Sequence, residues 1–118
     1  MKPEIVAELS CNHLGSIDRA IALVDAAAEA GADAIKLQVW SSSRMVLDED
    51  YVLPDGPWAG RNLAHLYREA HTKWDWVPQI FARARSKGLD AFASVFDADA
   101  LAFLEVCRCP RYKIASFE

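Results

Sequence analysis

Short apolar runs alternate along this chain with longer stretches in which apolar residues recur every three or four positions. Ile5-Val6-Ala7 is the first run, and it breaks into the polar segment Glu8-Leu9-Ser10-Cys11-Asn12-His13-Leu14-Gly15. That pattern predicts a buried strand followed by a polar loop. From Ile17 to Ala30, Ala20, Ile21, Val24, Ala27 and Ala28 fall on one helical face, and the extra alanines favour a helix. Ser16 is suited to cap it and Gly31 to stop it. Asp33 to Trp40 predicts the second strand, with Lys36 and Gln38 interleaved among Ile35, Leu37 and Val39. A solvent-facing strand shows the same alternation, and Lys36 would then be an ordinary exposed lysine.

Ser41 to His71 is less regular. Pro54-Asp55-Gly56-Pro57 marks a turn, and Asn62 to Ala70 can form a short helix with Leu63, Leu66 and Tyr67 on one face. An insertion of this length after a strand serves as a lid or as a spacer. Asp75 to Lys87 predicts the next helix, with Pro78 in its first turn and Ile80, Phe81 and Ala84 buried. Leu89 to Phe96 is a third strand. Asp97 caps a helix over Ala98 to Cys107, whose expected apolar face is Leu101, Ala102, Leu104 and Val106. Tyr112 to Ala115 is a fourth strand. Strands alternating with helices and joined by long crossovers predict an α/β fold of parallel, right-handed βαβ units. A TIM barrel and a doubly wound sheet both fit. The first strand lacks a G-x-G-x-x-G sequence after it, which disfavours a dinucleotide fold.

Composition narrows the function classes. The chain has 118 residues, 53% apolar, with a formal charge of −4. That is enough for one globular core, and the acidic balance without a Lys/Arg run argues against nucleic acid and against a polybasic membrane surface. Its apolar stretches fall short of the roughly 18 residues of a membrane helix. Met1-Lys2-Pro3-Glu4 carries no signal-peptide run, so a cytoplasmic location is expected. The cysteine count of 3 fits reduced thiols.

The chemistry-bearing residues gather at the predicted C-terminal ends of strands, where a β/α barrel builds its active site. These are Glu8, Asn12 and His13, then Gln38, then Ser94 and Asp97, then Ser116 and Glu118. Lys36 and Lys113 can present ammonium groups to a phosphate or carboxylate, with Ser94 and Ser116 donating to the same anion. Either lysine can instead form a Schiff base. Each residue singly reads as a strand-edge polar group; the four together on successive strands read as an anion site. Glu8 is a base or a hydrogen-bond acceptor. His13 is expected to pack or hydrogen-bond, and without H-x-x-x-H spacing no metal ligand is assigned. Cys107 and Cys109 read as part-buried thiols, Cys11 as a packing residue, and the tryptophans as packing groups.

AELSCNHLGS at 7–16, ADAIKLQVW at 32–40, FASVFD at 92–97 and YKIASFE at 112–118 together resemble the sialic acid synthases. GPWAGRNLAHLYREAHTKWDW at 56–76, with Phe117 where the neuraminic acid branch has glycine, is more similar to the pseudaminic acid synthase branch. The resemblance implies a TIM barrel, often followed by an antifreeze-like domain, of which residues 1–118 make about the first half. It implies condensation of phosphoenolpyruvate with an N-acylated amino sugar, the 2,4-diacetamido-2,4,6-trideoxy-L-altrose of pseudaminic acid synthesis. It places Lys36, Ser94, Lys113 and Ser116 around phosphoenolpyruvate, Gln38 and Asn12 near the sugar, and Glu8 and Glu118 at the reacting carbons. It also implies a divalent metal, manganese or magnesium, held by ligands outside this chain, and a homo-oligomer, typically a dimer. Three features depart from the family pattern. Leu14 replaces a second asparagine, Val95 replaces a proline, and residues 1–118 reach only the fourth strand of a barrel that takes about 250 residues. An N-acetylneuraminate synthase, a non-catalytic phosphate-binding fragment and a Schiff-base barrel aldolase stand as alternatives.

Overall fold

The computed structural model describes residues 1–115. Its strands are β1 (Val6–Ser10), β2 (Ala34–Val39), β3 (Asp90–Val95) and β4 (Tyr112–Ile114). Its helices are α1 (Ile17–Glu29), α2 (Leu63–Ala70), α3 (Val77–Ser86) and α4 (Ala98–Val106). The strands form one parallel sheet in the order β1-β2-β3-β4. Chain order and spatial order coincide, which is how a β/α barrel begins and not how a doubly wound sheet reverses.

Local chemistry sets the boundaries. Ser16 Oγ accepts from Arg19 N–H at 3.2 Å and starts α1, and Gly31 leaves the helix at φ 81°, a conformation glycine adopts without strain. Asn62 caps α2 through His65 N–H at 2.9 Å. Pro78 sits in the first turn of α3, where no intrahelical donor is lost, after a 3-10 turn over Trp74–Trp76. Asp97 caps α4 through Ala100 N–H at 2.8 Å and also accepts from Ser41 N–H at 2.9 Å. Burial works against this carboxylate, but the Ala100 and Ser41 bonds outweigh it and hold its pKa below the ordinary value. One side chain thereby ties the exit of β2 to the exit of β3.

The two faces of the sheet differ sharply. Partners across a parallel ladder share a face. Ile35, Leu37, Val39, Ala91 and Ala93 point outward and are buried under Val24 of α1, Ile80 and Phe81 of α3, and Leu104 of α4. Each fully buried large side chain there contributes on the order of 1.5–3 kcal/mol. The opposite face carries Glu8, Lys36, Gln38, Ser94 and Lys113, because Glu8 pairs with Lys36, Gln38 with Ser94, and Ser94 with Lys113.

Three expectations change. The first strand runs on through Glu8 to Ser10, because β2 pairs with it that far and a bulge between Glu8 and Ser10 absorbs the extra residue. The expected apolar face of the last helix is wrong in part. Ala100 and Leu104 are buried, whereas Leu101, Ala102 and Val106 face outward. That helix is apolar nearly all round, so periodicity gave no direction. The insertion is also more ordered than its composition suggests. Val52 bridges Asn62 antiparallel, Leu53 N–H donates to Arg61 C=O at 3.0 Å, and Gly60 N–H donates back to Leu53 C=O at 2.8 Å. This makes a small hairpin that delivers α2 to the end of the sheet. Trp40, buried, holds it there edge-to-face against Tyr67, with Phe96 on its other side.

Candidate functional site

The polar face of the sheet holds a connected chain of side chains. Lys36 projects from the middle of β2, and its ammonium is ion-paired with Glu8 Oε2 and donates to Ser94 Oγ at 3.1 Å. The Lys36 side chain is 16% exposed, so the ammonium has little water and takes its partners from the protein. Ser94 is 2% exposed. Glu8 Oε1 is held from the other side by Ser10, whose N–H and Oγ donate at 3.0 and 2.9 Å. Ser10 reaches both because the bulge turns its backbone to φ 46°. Strain at the C-terminal end of a strand is a mark of functional sites. The result is Ser10–Glu8–Lys36–Ser94, a cation between a carboxylate and a hydroxyl. Both partners accept from the Lys36 ammonium.

Two residues along from Lys36, Gln38 faces the same side. Its Oε1 accepts weakly from Cys11 Sγ at 3.8 Å. Burial and then the Glu8 charge push the Cys11 thiol up to about 12, so it stays protonated and serves as a donor. Gln38 and Cys11 form one end of a cavity of about 710 Å³ whose far walls come from the insertion, chiefly Leu53, Trp58, Leu66 and Tyr67. Asn12 is exposed at the exit of β1, its carbonyl accepting from Arg19 Nε at 2.8 Å. Lys113 is exposed beside Ser94 in register. Ser116 and Glu118 lie outside the described residues.

His13 is a structural group. Gly15 N–H donates to its Nδ1 at 3.1 Å, so the proton is on Nε2, which meets Thr72 Oγ1 at 3.1 Å. The ring is 2% exposed and edge-on to Trp76. Burial, and then His71, lower its pKa and keep it neutral. Among the described residues no group of three His, Cys, Asp or Glu side chains could hold a metal ion. Glu8 is taken by Lys36 and Ser10, and both His13 nitrogens are engaged. These residues do not make up the ligand set of the divalent metal that the resemblance implies. Among the described residues no helix is long and apolar enough to cross a membrane.

Ser10, Cys11 and the cavity wall were not legible as site residues. Ser10 carried a signal, a hydroxyl two positions after a strand-end carboxylate. Cys11 and the wall depend on how the insertion folds back.

Residues 23–118 match the NeuB family model. The chain belongs to the NeuB family. Among curated proteins it is 42% identical, over 97% of its length, to a pseudaminic acid synthase of Campylobacter jejuni. It is 41% identical, over 98%, to a pseudaminic acid synthase of Helicobacter pylori. Among solved structures it superposes with a TM-score of 0.77 and 25% identity on an N-acetylneuraminic acid synthetase of Leptospira borgpetersenii, covering 95% of this chain and 36% of that one. The chain spans about a third of the length of the curated relatives it matches, 34% and 35% of the two synthases. The family's barrel architecture accounts for the sheet. Its four parallel strands are βα units of a TIM barrel, a fold that carries its sites at the C-terminal ends of the strands, and Ser94 stands near that end of β3.

Proposed function

We propose that these residues form the first βα units of a nonulosonic acid synthase and supply its phosphoenolpyruvate site. The observation that carries the reading is the Lys36 ammonium held between Glu8 and Ser94. It is a desolvated cation on the active face of a barrel whose relatives are named pseudaminic acid synthases. In this reading Lys36 and Lys113 hold the phosphate and carboxylate of phosphoenolpyruvate, and Ser94 orients the Lys36 donor. Ser116 joins them, and Glu118 stands with Glu8 at the reacting carbons, by resemblance. Asn12 and Gln38 meet the sugar.

The balance of the step is simple. The C2=C3 π electrons of phosphoenolpyruvate form a carbon–carbon bond from C3 to the sugar's aldehyde carbon, whose C=O π bond opens to an oxyanion that takes up a proton and becomes the new hydroxyl. Water adds at C2, and the C2–O bond to phosphate breaks. The water's proton needs a base, and Glu8, fixed by Ser10, is a carboxylate suited to take it. The divalent metal that the resemblance implies would, when bound by ligands outside the described residues, polarise the sugar's aldehyde. The full-length protein, given manganese, phosphoenolpyruvate and 2,4-diacetamido-2,4,6-trideoxy-L-altrose, is expected to release one phosphate per sugar consumed, and none without sugar. Phosphate release that ignores the sugar would contradict the reading, as would borohydride trapping of pyruvate on Lys36 or Lys113.

A further inference from the structure

A second set of contacts lies on the same face of the sheet as Lys36, toward the other end of the strands. Arg111 stands immediately before β4, and its guanidinium lies 4.2 Å from the centre of the Phe92 ring. Phe92 pairs with Lys36 in register, so the arginine occupies the polar face of the sheet. Both of its terminal nitrogens are engaged. Nη1 donates to Glu4 Oε2 at 2.9 Å, and Nη2 donates to Glu4 Oε1 and meets Asp90 Oδ2 at 3.2 Å. Glu4 precedes β1 and Asp90 begins β3, so one side chain ties together the entries of β1, β3 and β4. With its fork filled by carboxylates, Arg111 is not itself a receptor for an anion.

The strand that follows has little else to fix it. β4 is three residues long, and Lys113 and Ile114 are exposed, Ile114 at 84%. A strand with so little buried apolar surface is weakly held in register by burial. Its fixing lies at the entry. Buried Cys109 Sγ donates to Arg111 C=O at 3.0 Å, and Tyr112 Oη donates to Glu105 of α4 on the outer side. On the inner side the only clamp among these contacts is the Arg111 guanidinium. A bidentate arginine–carboxylate pair stacked on a ring fixes geometry more strictly than a point charge does. Lys113, two residues on, shares that face and is in register with Ser94.

Resting on the synthase reading, we propose that Arg111 is a positioning residue for Lys113. It clamps the entry of β4 to Glu4 and Asp90, and thereby holds Lys113 beside Ser94, where the anion site needs its ammonium. Arg111 touches no substrate and acts through the strand.

A double-mutant cycle on the full-length protein separates this role from general structural support. Arg111→Met and Lys113→Met are each expected to weaken phosphoenolpyruvate binding by about tenfold or more in calorimetry. The double variant should bind within about twofold of Lys113→Met alone, because the clamp has nothing left to position. Amide hydrogen exchange without ligand is the second readout. Arg111→Met should speed exchange over Tyr112–Ile114 by at least about tenfold. Arg111→Lys, which keeps the charge and loses the fork, should resemble Arg111→Met more than the wild type. Losses that add in the double variant, or unchanged exchange over β4, overturn the proposal. If Arg111→Met does not fold, Glu4→Gln leaves the guanidinium on Asp90 and Phe92 and should give the same two effects at smaller size; their absence overturns the proposal equally. If exchange over β4 rises in Arg111→Met while Lys113→Met binds phosphoenolpyruvate as the wild type does, the clamp on β4 stands and the reading of Lys113 as a phosphoenolpyruvate ligand fails.

Discussion

Lys36→Met in the full-length protein is expected to weaken phosphoenolpyruvate binding by at least about a hundredfold, with condensation falling by as much or more. The charge-assisted bonds of a desolvated ammonium to phosphate are the stronger kind, and removing one partner of such a contact typically costs about 2–5 kcal/mol. Methionine keeps most of the lysine stem's volume against the sheet, so the fold should survive. Glu8 would lose its cation but not its solvent, since its side chain is 39% exposed. The remaining Glu8 charge would then face the incoming phosphate and repel it. Calorimetry gives the binding loss, and circular dichroism confirms that folding is kept. Binding within about threefold of the wild type would remove Lys36 from the site.

Glu8→Gln is expected to do two opposite things. In the free protein Glu8 competes with any anion for the Lys36 ammonium. Neutralising it removes one negative charge a few ångströms from the phosphate. In this partly exposed setting that is worth about 1 kcal/mol, or about fivefold tighter phosphoenolpyruvate binding. Turnover should fall by about a hundredfold or more, the usual contribution of a positioned base. The split between tighter binding and slower chemistry separates a base from a mere structural partner of Lys36. A structural partner would lose binding and turnover together. The tightening should also shrink as salt is raised, because part of the site is open to water.

How much of this was legible in the sequence follows from which interactions are local. Ser16, Gly31 and Asp97 act within a few residues of themselves, and each cap fell where the residue type put it. The sheet order followed from strands separated by helical crossovers, which leave a parallel neighbour as the ordinary outcome. The shared face of Lys36, Ser94 and Lys113 follows from period-two alternation once the register is known. The face of α4 did not follow, because Leu101, Leu104 and Val106 are alike in chemistry and only packing distinguishes them. Nor did the cavity. Leu53, Trp58 and Tyr67 line one cavity with Gln38, and the Val52–Asn62 bridge that folds the insertion back is not written in any single residue of it. Ser10 is an intermediate case. Its hydroxyl was visible, but the bulge that aims it at Glu8 is a property of the pairing with β2.

The central claim is that Lys36, Ser94 and Lys113 form a site for the phosphate of phosphoenolpyruvate. Calorimetric titration of the full-length protein with phosphoenolpyruvate and, separately, with pyruvate tests it most directly, since the two ligands share a carboxylate and differ in the phosphate. Phosphoenolpyruvate is expected to bind at least about tenfold more tightly, the worth of one or more charge-assisted contacts, with the gap narrowing as salt is added. Equal affinity for the two ligands would contradict it.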